Sequence, residues 1–406
     1  MTDARVHSTR NELLFVVTGL GRGGTERHLL QVLPQLRAAG FDPLVYSLTG
    51  RGAIGPELEA AGIEVRCGPL AETQGLLRPL RLAAAFAGLC WLLIRRRPAL
   101  LHCFLPAAYI LGGTASLLLG PRLRVMSRRS LNAYQAHARG AGWLERRLHR
   151  HMAAVLGNSR AVVAQLLQEG VAPEKLALIY NGIELPRPVT AADRVAVRTR
   201  LGVTADALVL ILIANLIPYK GHRDLLEALG QIKAKLPAGW RLLLAGRDDG
   251  IGEELKRQAD GLGLSEHLIW LGERTDVAQL IAASDMGLLC SHEEGFSNAI
   301  LECMAAALPM VVTDVGGNAE AVVEGTTGWV VPPRAPERLA RAILALAGDP
   351  AQRLAFGEAG KARVMAEFSR QAMVRDYLRL YTALLAGRPP PIEPDTHRVG
   401  VAEDGA

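Results

Sequence analysis

The sequence is poor in aromatic residues, which fill 5% of its 406 positions. A nucleic-acid surface needs them interleaved with basic side chains along a helix, and no such helix occurs, which argues against that class of partner. Cysteine is scarce and odd in number: Cys67, Cys90, Cys103, Cys290 and Cys303. There is no CxxC pair, and no His/Asp/Cys set has ligand spacing. The five read as small core residues in a reducing compartment, the cytoplasm, rather than as a disulfide framework or metal site. No apolar run reaches the roughly 20 residues of a membrane span. The nearest, Leu80 to Ile94, is shorter and contains Arg81. A well-buried helix packed on a sheet is the first expectation for it. A helix lying on the inner face of an anionic membrane, with Arg95, Arg96 and Arg97 at the headgroups, stays open. The polar start, Met1 to Asn11, has no apolar signal region, and no short tandem repeat is visible.

What is present suits two domains. The length exceeds one average domain, and apolar residues at 50% allow each half a core. Basic residues outnumber acidic ones, 46 to 40, a mild excess that suits anionic small molecules or acidic lipid.

Short β-rich runs alternate with helical patterns through the first half. The runs are Leu13 to Thr18, Leu44 to Leu48, Ile63 to Arg66, Leu100 to Phe104, Arg122 to Ser127 and Ala153 to Gly157. A second series begins at Leu208 to Asn215 and continues with Arg241 to Gly246, Leu268 to Gly272, Met286 to Cys290, Pro309 to Asp314 and Thr327 to Val331. Nearly unbroken apolar strands separated by helices signal parallel sheets covered on both faces. The fold class is therefore α/β, with two doubly wound domains. Leu185 to Val203, with Pro186 and Pro188, breaks both periodicities and reads as the boundary. The expected divisions are 1–187, 188–365, closing helices over 366–386, and a disordered tail from 387 to 406.

Four turns between strand and helix could carry chemistry, because ligands of open α/β sheets bind at the carboxyl ends of strands. The first is Gly19-Leu20-Gly21-Arg22-Gly23-Gly24-Thr25-Glu26, where glycines let backbone approach a ligand. It does not spell GxGxxG. The second runs from Asn215 to His222, and Lys220 within it can neutralise a leaving diphosphate. The third, His292 to Glu302, offers a helix N-terminus that Ser297 can cap, with Glu294 in the loop and Glu302 about one turn into the helix. Carboxylates repel a diphosphate, so these two acids suit sugar or ribose hydroxyls. The fourth is Asp314 to Glu320, with the pair Gly316-Gly317. Each motif also has a bland reading as an ordinary turn; their shared placement is what points to a site.

From Leu13 to Leu385 the chain resembles the retaining nucleotide-sugar glycosyltransferases of family four, which have the two-domain GT-B architecture with a central cleft. Gly23 to Arg27 is similar to the family's glycine loop, and Tyr180 to Ile183 to its segment closing the first domain. Glu294 and Glu302 match its paired glutamates, and Val315-Gly316-Gly317 the glycine pair that follows. The resemblance implies catalytic roles for Glu294 and Lys220. Glu294 would hold donor-sugar hydroxyls, Glu302 the ribose, and Lys220 the diphosphate. The backbone of Gly295, Phe296, Ser297 and Asn298 would face the phosphates, and Gly23 and Gly24 would approach them or the acceptor. Two positions depart from the family. Asn215 stands where an arginine is common, so a second cation would come from Arg22 or Arg247. Arg129 stands near the usual first-domain histidine and takes its place among the catalytic candidates, with His102 one strand earlier more often a packed residue. No cofactor or metal is implied. The partners implied are a nucleotide sugar and a saccharide or lipid-linked acceptor, the N-terminal domain holding the acceptor in surface polysaccharide or glycolipid synthesis. A sugar-nucleotide epimerase and a non-catalytic nucleotide-sugar-binding protein are the alternatives.

Overall fold

The computed structural model describes residues 11–21, 23–70, 77–131, 139–185 and 189–391. Arg22, Pro186, Pro188 and most of the expected tail lie outside them. The chain forms two compact units, one from Met1–Asn181 with Arg370–Ala406, the other Gly182–Ser369.

The sheet of the first unit has the order β3-β2-β1-β4-β5-β6-β7. Its strands are β1 (Glu12–Val17), β2 (Asp42–Ser47), β3 (Glu64–Cys67), β4 (Leu100–Phe104), β5 (Leu123–Arg128), β6 (Ala154–Gly157) and β7 (Leu176–Leu178). All neighbouring pairs are parallel. Side chains alternate along a strand, so β1 feeds both faces. Leu13, Phe15 and Val17 face a core closed by helices α1 (Gly24–Ala38), α2 (Gly55–Ala60) and α15 (Arg370–Leu385). Leu14 and Val16 face the other, closed by α3 (Arg78–Arg96), α4 (Pro106–Leu119), α5 (Arg139–His149) and α6 (Arg160–Gln168).

The sheet of the second unit has the order β10-β9-β8-β11-β12-β13, also all parallel. Its strands are β8 (Val209–Ile213), β9 (Arg241–Ala245), β10 (Leu268–Gly272), β11 (Met286–Leu289), β12 (Met310–Thr313) and β13 (Gly328–Val331). The helices are α7 (Ala191–Arg200), α8 (His222–Ile232), α9 (Gly252–Gly261), α10 (Val277–Ala282), α11 (Asn298–Ala305), α12 (Asn318–Ala321), α13 (Pro336–Gly348) and α14 (Pro350–Glu367).

Four expectations change. The segment expected as a linker contains α7, which starts from a capping box: Thr190 Oγ1 accepts from the Asp193 amide at 3.1 Å and Asp193 Oδ2 from the Thr190 amide at 3.0 Å. Its apolar stripe is thin, and polar bonds hold it instead, with Arg194 and Arg198 both on the Asp285 carboxylate at 2.6 and 2.8 Å. The chain divides at Asn181/Gly182, earlier than 187, and α15 joins the first unit because Tyr377, Leu380, Tyr381 and Leu384 fill that core. Helix α3 is buried on one side only: Ala85, Leu89, Leu92 and Leu93 pack inward, while Leu80, Trp91 and Ile94 are exposed. Cys103, Cys290 and Cys303 are buried, whereas Cys67 is exposed at the end of edge strand β3. No helix among the described residues is long and apolar enough to cross a membrane.

Candidate active site

In a sheet of this order the ligand crevice lies where the strand order reverses, beyond the carboxyl ends. In the second unit that point falls between β8 and β11, which pair through Met286↔Leu210 and Leu288↔Leu212. Two of the four sequence motifs follow these two strands.

After β8 the chain passes Asn215 and makes a 3-10 turn, Pro218–Lys220, then reaches Gly221 at φ +71°. A Cβ on Gly221 would lie 1.9 Å from the Cys290 carbonyl oxygen, so only glycine lets this turn press against the end of β11. That contact brings Lys220 Nζ to 2.6 Å from Glu294 Oε1. The two side chains are 18% and 11% exposed. Charges this far from water need partners, and the same Oε1 also accepts from Ser291 Oγ at 2.7 Å. Ser291 is fully buried, and its carbonyl accepts the Thr313 hydroxyl at 2.6 Å. Lys220 Nζ sits 5.3 Å from the centre of the Tyr219 ring. Next to Ser291, His292 Nε2 meets Asp224 Oδ2 of α8 at 2.7 Å, a second tie between the two strand ends.

The glycine pair after β12 has a structural task. Gly316 has φ +54°, and a Cβ there would lie 2.0 Å from the Glu294 carbonyl oxygen. The Gly317 amide donates to the Gly295 carbonyl at 2.8 Å. The turn carrying Glu294 is thus clamped from outside. Ser297 is the N-cap of α11 but makes no side-chain capping bond, which corrects the expectation; the Gly316-Gly317 clamp fixes the turn without it. Phe296 is buried against Phe368, ring centres 5.2 Å apart, so its side chain belongs to the core and only its backbone is left for a ligand. Gly295 is buried, and Ser297, Asn298 and Glu302 are half-buried on the first turns of α11.

Asn215 ties β8 to β9. Its Oδ1 accepts from the Arg247 amide at 3.1 Å, and its Nδ2 lies 3.4 Å from Asp249 Oδ2. Arg247 Nε donates to Asp249 Oδ1 at 2.7 Å, which leaves this cation on the rim of the same strand ends.

Gly23, Gly24 and Arg129 belong to the first unit. Gly24 has open space within 4 Å, and a Cβ on Gly23 would meet only the Glu26 carboxylate, so the fold does not demand glycine at either place. They follow β1, and Leu105, a non-glycine residue at φ +71°, follows β4 at that sheet's own reversal point. Arg129 follows β5, and its Nη2 donates to Asn181 Oδ1 at 2.7 Å. Burial lowers its pKa, opposed by Tyr377 and Glu26. His102 is a packed residue: Nδ1 bonds Tyr381 Oη at 2.7 Å and Nε2 bonds Ser127 Oγ at 2.8 Å. Burial, with Arg129 nearby, holds its pKa well below the usual 6.5. His28, whose Nε2 meets Tyr377 Oη at 2.9 Å, is lowered by the same two causes and by His102. Among the described residues no group of three or more His, Cys, Asp or Glu could hold a metal ion.

The sequence missed Ser291, His292 with Asp224, and the Gly221–Cys290 contact; only the presence of Ser291 and His292 beside Glu294 could have hinted at them.

Comparisons with known proteins cover both units. A profile described as "Glycosyltransferase Family 4" matches residues 22–187, and one described as "Glycosyl transferases group 1" matches 207–349. The chain belongs to glycosyltransferase family 4. One family relative, the D-inositol 3-phosphate glycosyltransferase of Kineococcus radiotolerans, is 28% identical over 90% of this chain and 92% of its own length. The protein of that name from Geodermatophilus obscurus is 33% identical, but over 56% of this chain and 52% of itself. This match, like the one from Segniliparus rotundus at 53%, spans about half the length of the relative. Among solved structures, Anabaena Alr3699/HepE in complex with UDP-glucose superposes with a TM-score of 0.80 at 25% identity, over 91% of this chain and 99% of that one. Both sheets are those of the family's GT-B fold.

Proposed function

We propose that the protein is a retaining glycosyltransferase that moves a sugar from a nucleotide-diphosphate donor to an acceptor in surface polysaccharide or glycolipid synthesis. The observation that carries this reading is the contact of Lys220 with Glu294 at the strand-order reversal of the second unit, at the foot of α11. Breaking the bond from sugar to diphosphate needs charge stabilisation on the leaving group. Lys220 supplies a cation, and the backbone amides from Gly295 to Asn298 add a helix N-terminus. An ammonium group has three protons, so Lys220 can keep Glu294 and still donate to a phosphate. Glu294 then accepts from donor-sugar hydroxyls and Glu302 from the ribose. Arg247 takes the part of a second cation beside Asn215, and no metal is called for. In the first unit Arg129 suits an acceptor or phosphate oxygen, and Gly23 and Gly24 give close backbone approach.

The relatives named for D-inositol 3-phosphate support a phosphorylated or polyhydroxylated acceptor, and the UDP-glucose complex of HepE supports a uridine diphosphate sugar as donor. Five unpaired thiols suit the reducing cytoplasm.

The test is a thermal-shift panel of sugar nucleotides followed by turnover with candidate acceptors. A ligand at one hundred times its Kd stabilises the fold by about 2.7 kcal/mol. The expected outcome is a raised melting temperature with at least one sugar nucleotide, and a product that keeps the donor's anomeric configuration. No shift with any of them would remove the donor site. A new sugar nucleotide formed without acceptor would identify an epimerase instead.

A further inference from the structure

We propose that the helical face formed by α3, the end of α4 and α5 lies on an anionic lipid bilayer. The surface is defined by its own chemistry, and the proposal stands or falls apart from the donor site.

Helix α3 is apolar on two sides. Its inner stripe packs on the sheet. Its outer stripe, Leu80, Ala84, Ala87, Trp91 and Ile94, repeats at helical spacing and faces water, with Leu80 68%, Trp91 62% and Ile94 54% exposed. A surface helix of a globular protein normally turns polar side chains outward. Here the outward chemistry is apolar with arginines at its margins, including exposed Arg81 and Arg95, and the helix contains no acid. The helix is about 28 Å long at 1.5 Å per residue, which suits an element lying in the interface plane.

The neighbouring helices extend the same chemistry. In a parallel sheet with helical crossovers, consecutive helices run the same way, so α3, α4 and α5 all end at the edge where the strands begin. Helix α4 lies between the other two and touches both. It ends in exposed Leu117, Leu118 and Leu119. Helix α5 presents Trp143, 55% exposed, with the Arg147 guanidinium 5.0 Å from its ring centre. Tryptophan beside cationic side chains is the composition of a membrane interface.

Charge decides between possible occupants. Residues 77–150 contain thirteen arginines, no lysine and a single acid, Glu145. Three of the arginines are held within the fold, Arg96 by Glu12 and Glu64, Arg128 by Glu145 and Glu169, and Arg129 by Asn181, so the surface charge of this face comes from the others. Glu145 is fully buried against Arg128 at 2.7 Å. That leaves 33 of the 46 basic and 39 of the 40 acidic residues for the rest of the chain, which is therefore net acidic. A second copy of the chain would set arginine against arginine across a self-complementary interface, which like charge opposes. A sheet of anionic headgroups over acyl chains satisfies the arginines and the apolar stripe together.

The experiment is flotation of the full-length protein with vesicles of phosphatidylcholine, or of an equimolar mixture of phosphatidylcholine and phosphatidylglycerol. Expected is flotation with the anionic vesicles alone, weakened by molar salt, together with a blue shift of tryptophan emission. Trp91→Ser with Ile94→Ser should lower the bound fraction about tenfold. Arg81→Gln and Arg95→Gln should each lower it about fivefold. These side chains face solvent, so melting temperatures should stay put and report that the variants fold. Absence of flotation with anionic vesicles at low salt overturns the proposal, as does binding indifferent to both kinds of substitution. A stable dimer dispersed by Trp91→Ser would assign the face to a second copy and overturn it too.

Discussion

Lys220 Nζ and Glu294 Oε1 stand 2.6 Å apart although 74 residues separate them in the chain. Neighbouring strand ends hold them, and each shields the other's charge in a part-buried place. Lys220→Ala is expected to lower kcat about 10²-fold or more, the scale of losing an oxyanion donor, and Glu302→Ala likewise. Residues in contact do not lose independently, so Lys220→Ala with Glu294→Gln should cost less than the two losses combined. Steady-state kinetics of the single and double variants checks this, and near-normal turnover in Lys220→Ala would sink the assignment.

Ser291 tests whether the Glu294 carboxylate is held in place by its neighbour. Its hydroxyl donates to Oε1 at 2.7 Å from a fully buried position. Ser291→Ala removes one hydrogen bond to a charged group, about 1.5–3 kcal/mol. Turnover should drop at least about tenfold, while Ser291→Thr keeps a hydroxyl and should recover part of it if the added methyl fits. Unchanged kinetics in Ser291→Ala would show that Lys220 alone fixes the carboxylate.

Two glycines should behave oppositely. Gly316→Ala meets both a left-handed backbone and the Glu294 carbonyl. Left-handed strain alone costs about 1–2 kcal/mol, so the melting temperature should fall and activity with it. Gly24→Ala meets open space at the first residue of α1. It should leave stability equal or higher and raise KM for the ligand that passes the loop. Calorimetry beside kinetics separates the two, and equal destabilisation in both variants would contradict the geometry.

Stability should decline on mild acidification. Burial holds His28 and His102 well below 6.5, and burial with the Lys220 charge lowers His222 to about 4. A histidine depressed in the folded state takes up protons first when unfolded. Stability contributed by the neutral rings is therefore complete above pH 6.5 and is lost as pH drops toward the folded value. For His222 this window, from 6.5 to about 4, is worth about 3 kcal/mol. Urea midpoints at neutral pH and at about pH 5 measure it. His222→Phe should flatten the dependence, and a midpoint indifferent to pH would refute the buried-histidine account.

Arg247→Gln probes the cation proposed to stand in for the arginine usual in the family at the place of Asn215. Loss of one rim contact with a diphosphate should raise donor KM about tenfold and leave the melting temperature unchanged. Isothermal titration with the nucleoside diphosphate gives the same reading without an acceptor; unaltered affinity would remove Arg247 from the site.

The central strands were legible because they are buried on both faces and so written in unbroken apolar letters, as in Leu208 to Ile213. Strand β7 escaped because Leu176–Leu178 is three residues long. Helix α7 escaped because its stability rests on a cap and on Arg194 and Arg198, not on an apolar stripe. Lys220 and Glu294 could be found from their position after strands. Ser291 and Gly221 could not, since their value depends on a carboxylate and a carbonyl that only the sheet order brings near. The amphipathic pattern of α15 identified a helix but carried no information about which core it fills.

That last helix has a further consequence. Tyr377, Leu380, Tyr381 and Leu384 lie among Phe15, Leu29 and Phe104 in the first unit's core, although the whole of the second unit is synthesised between them. During translation the second unit can close while its predecessor still lacks part of its interior. A fragment ending at Asn181 would keep α1 and α2 on that side of the sheet but leave uncovered the part that Tyr377 and Tyr381 fill, and nascent chains stalled before Arg370 would expose that surface to proteases and chaperones.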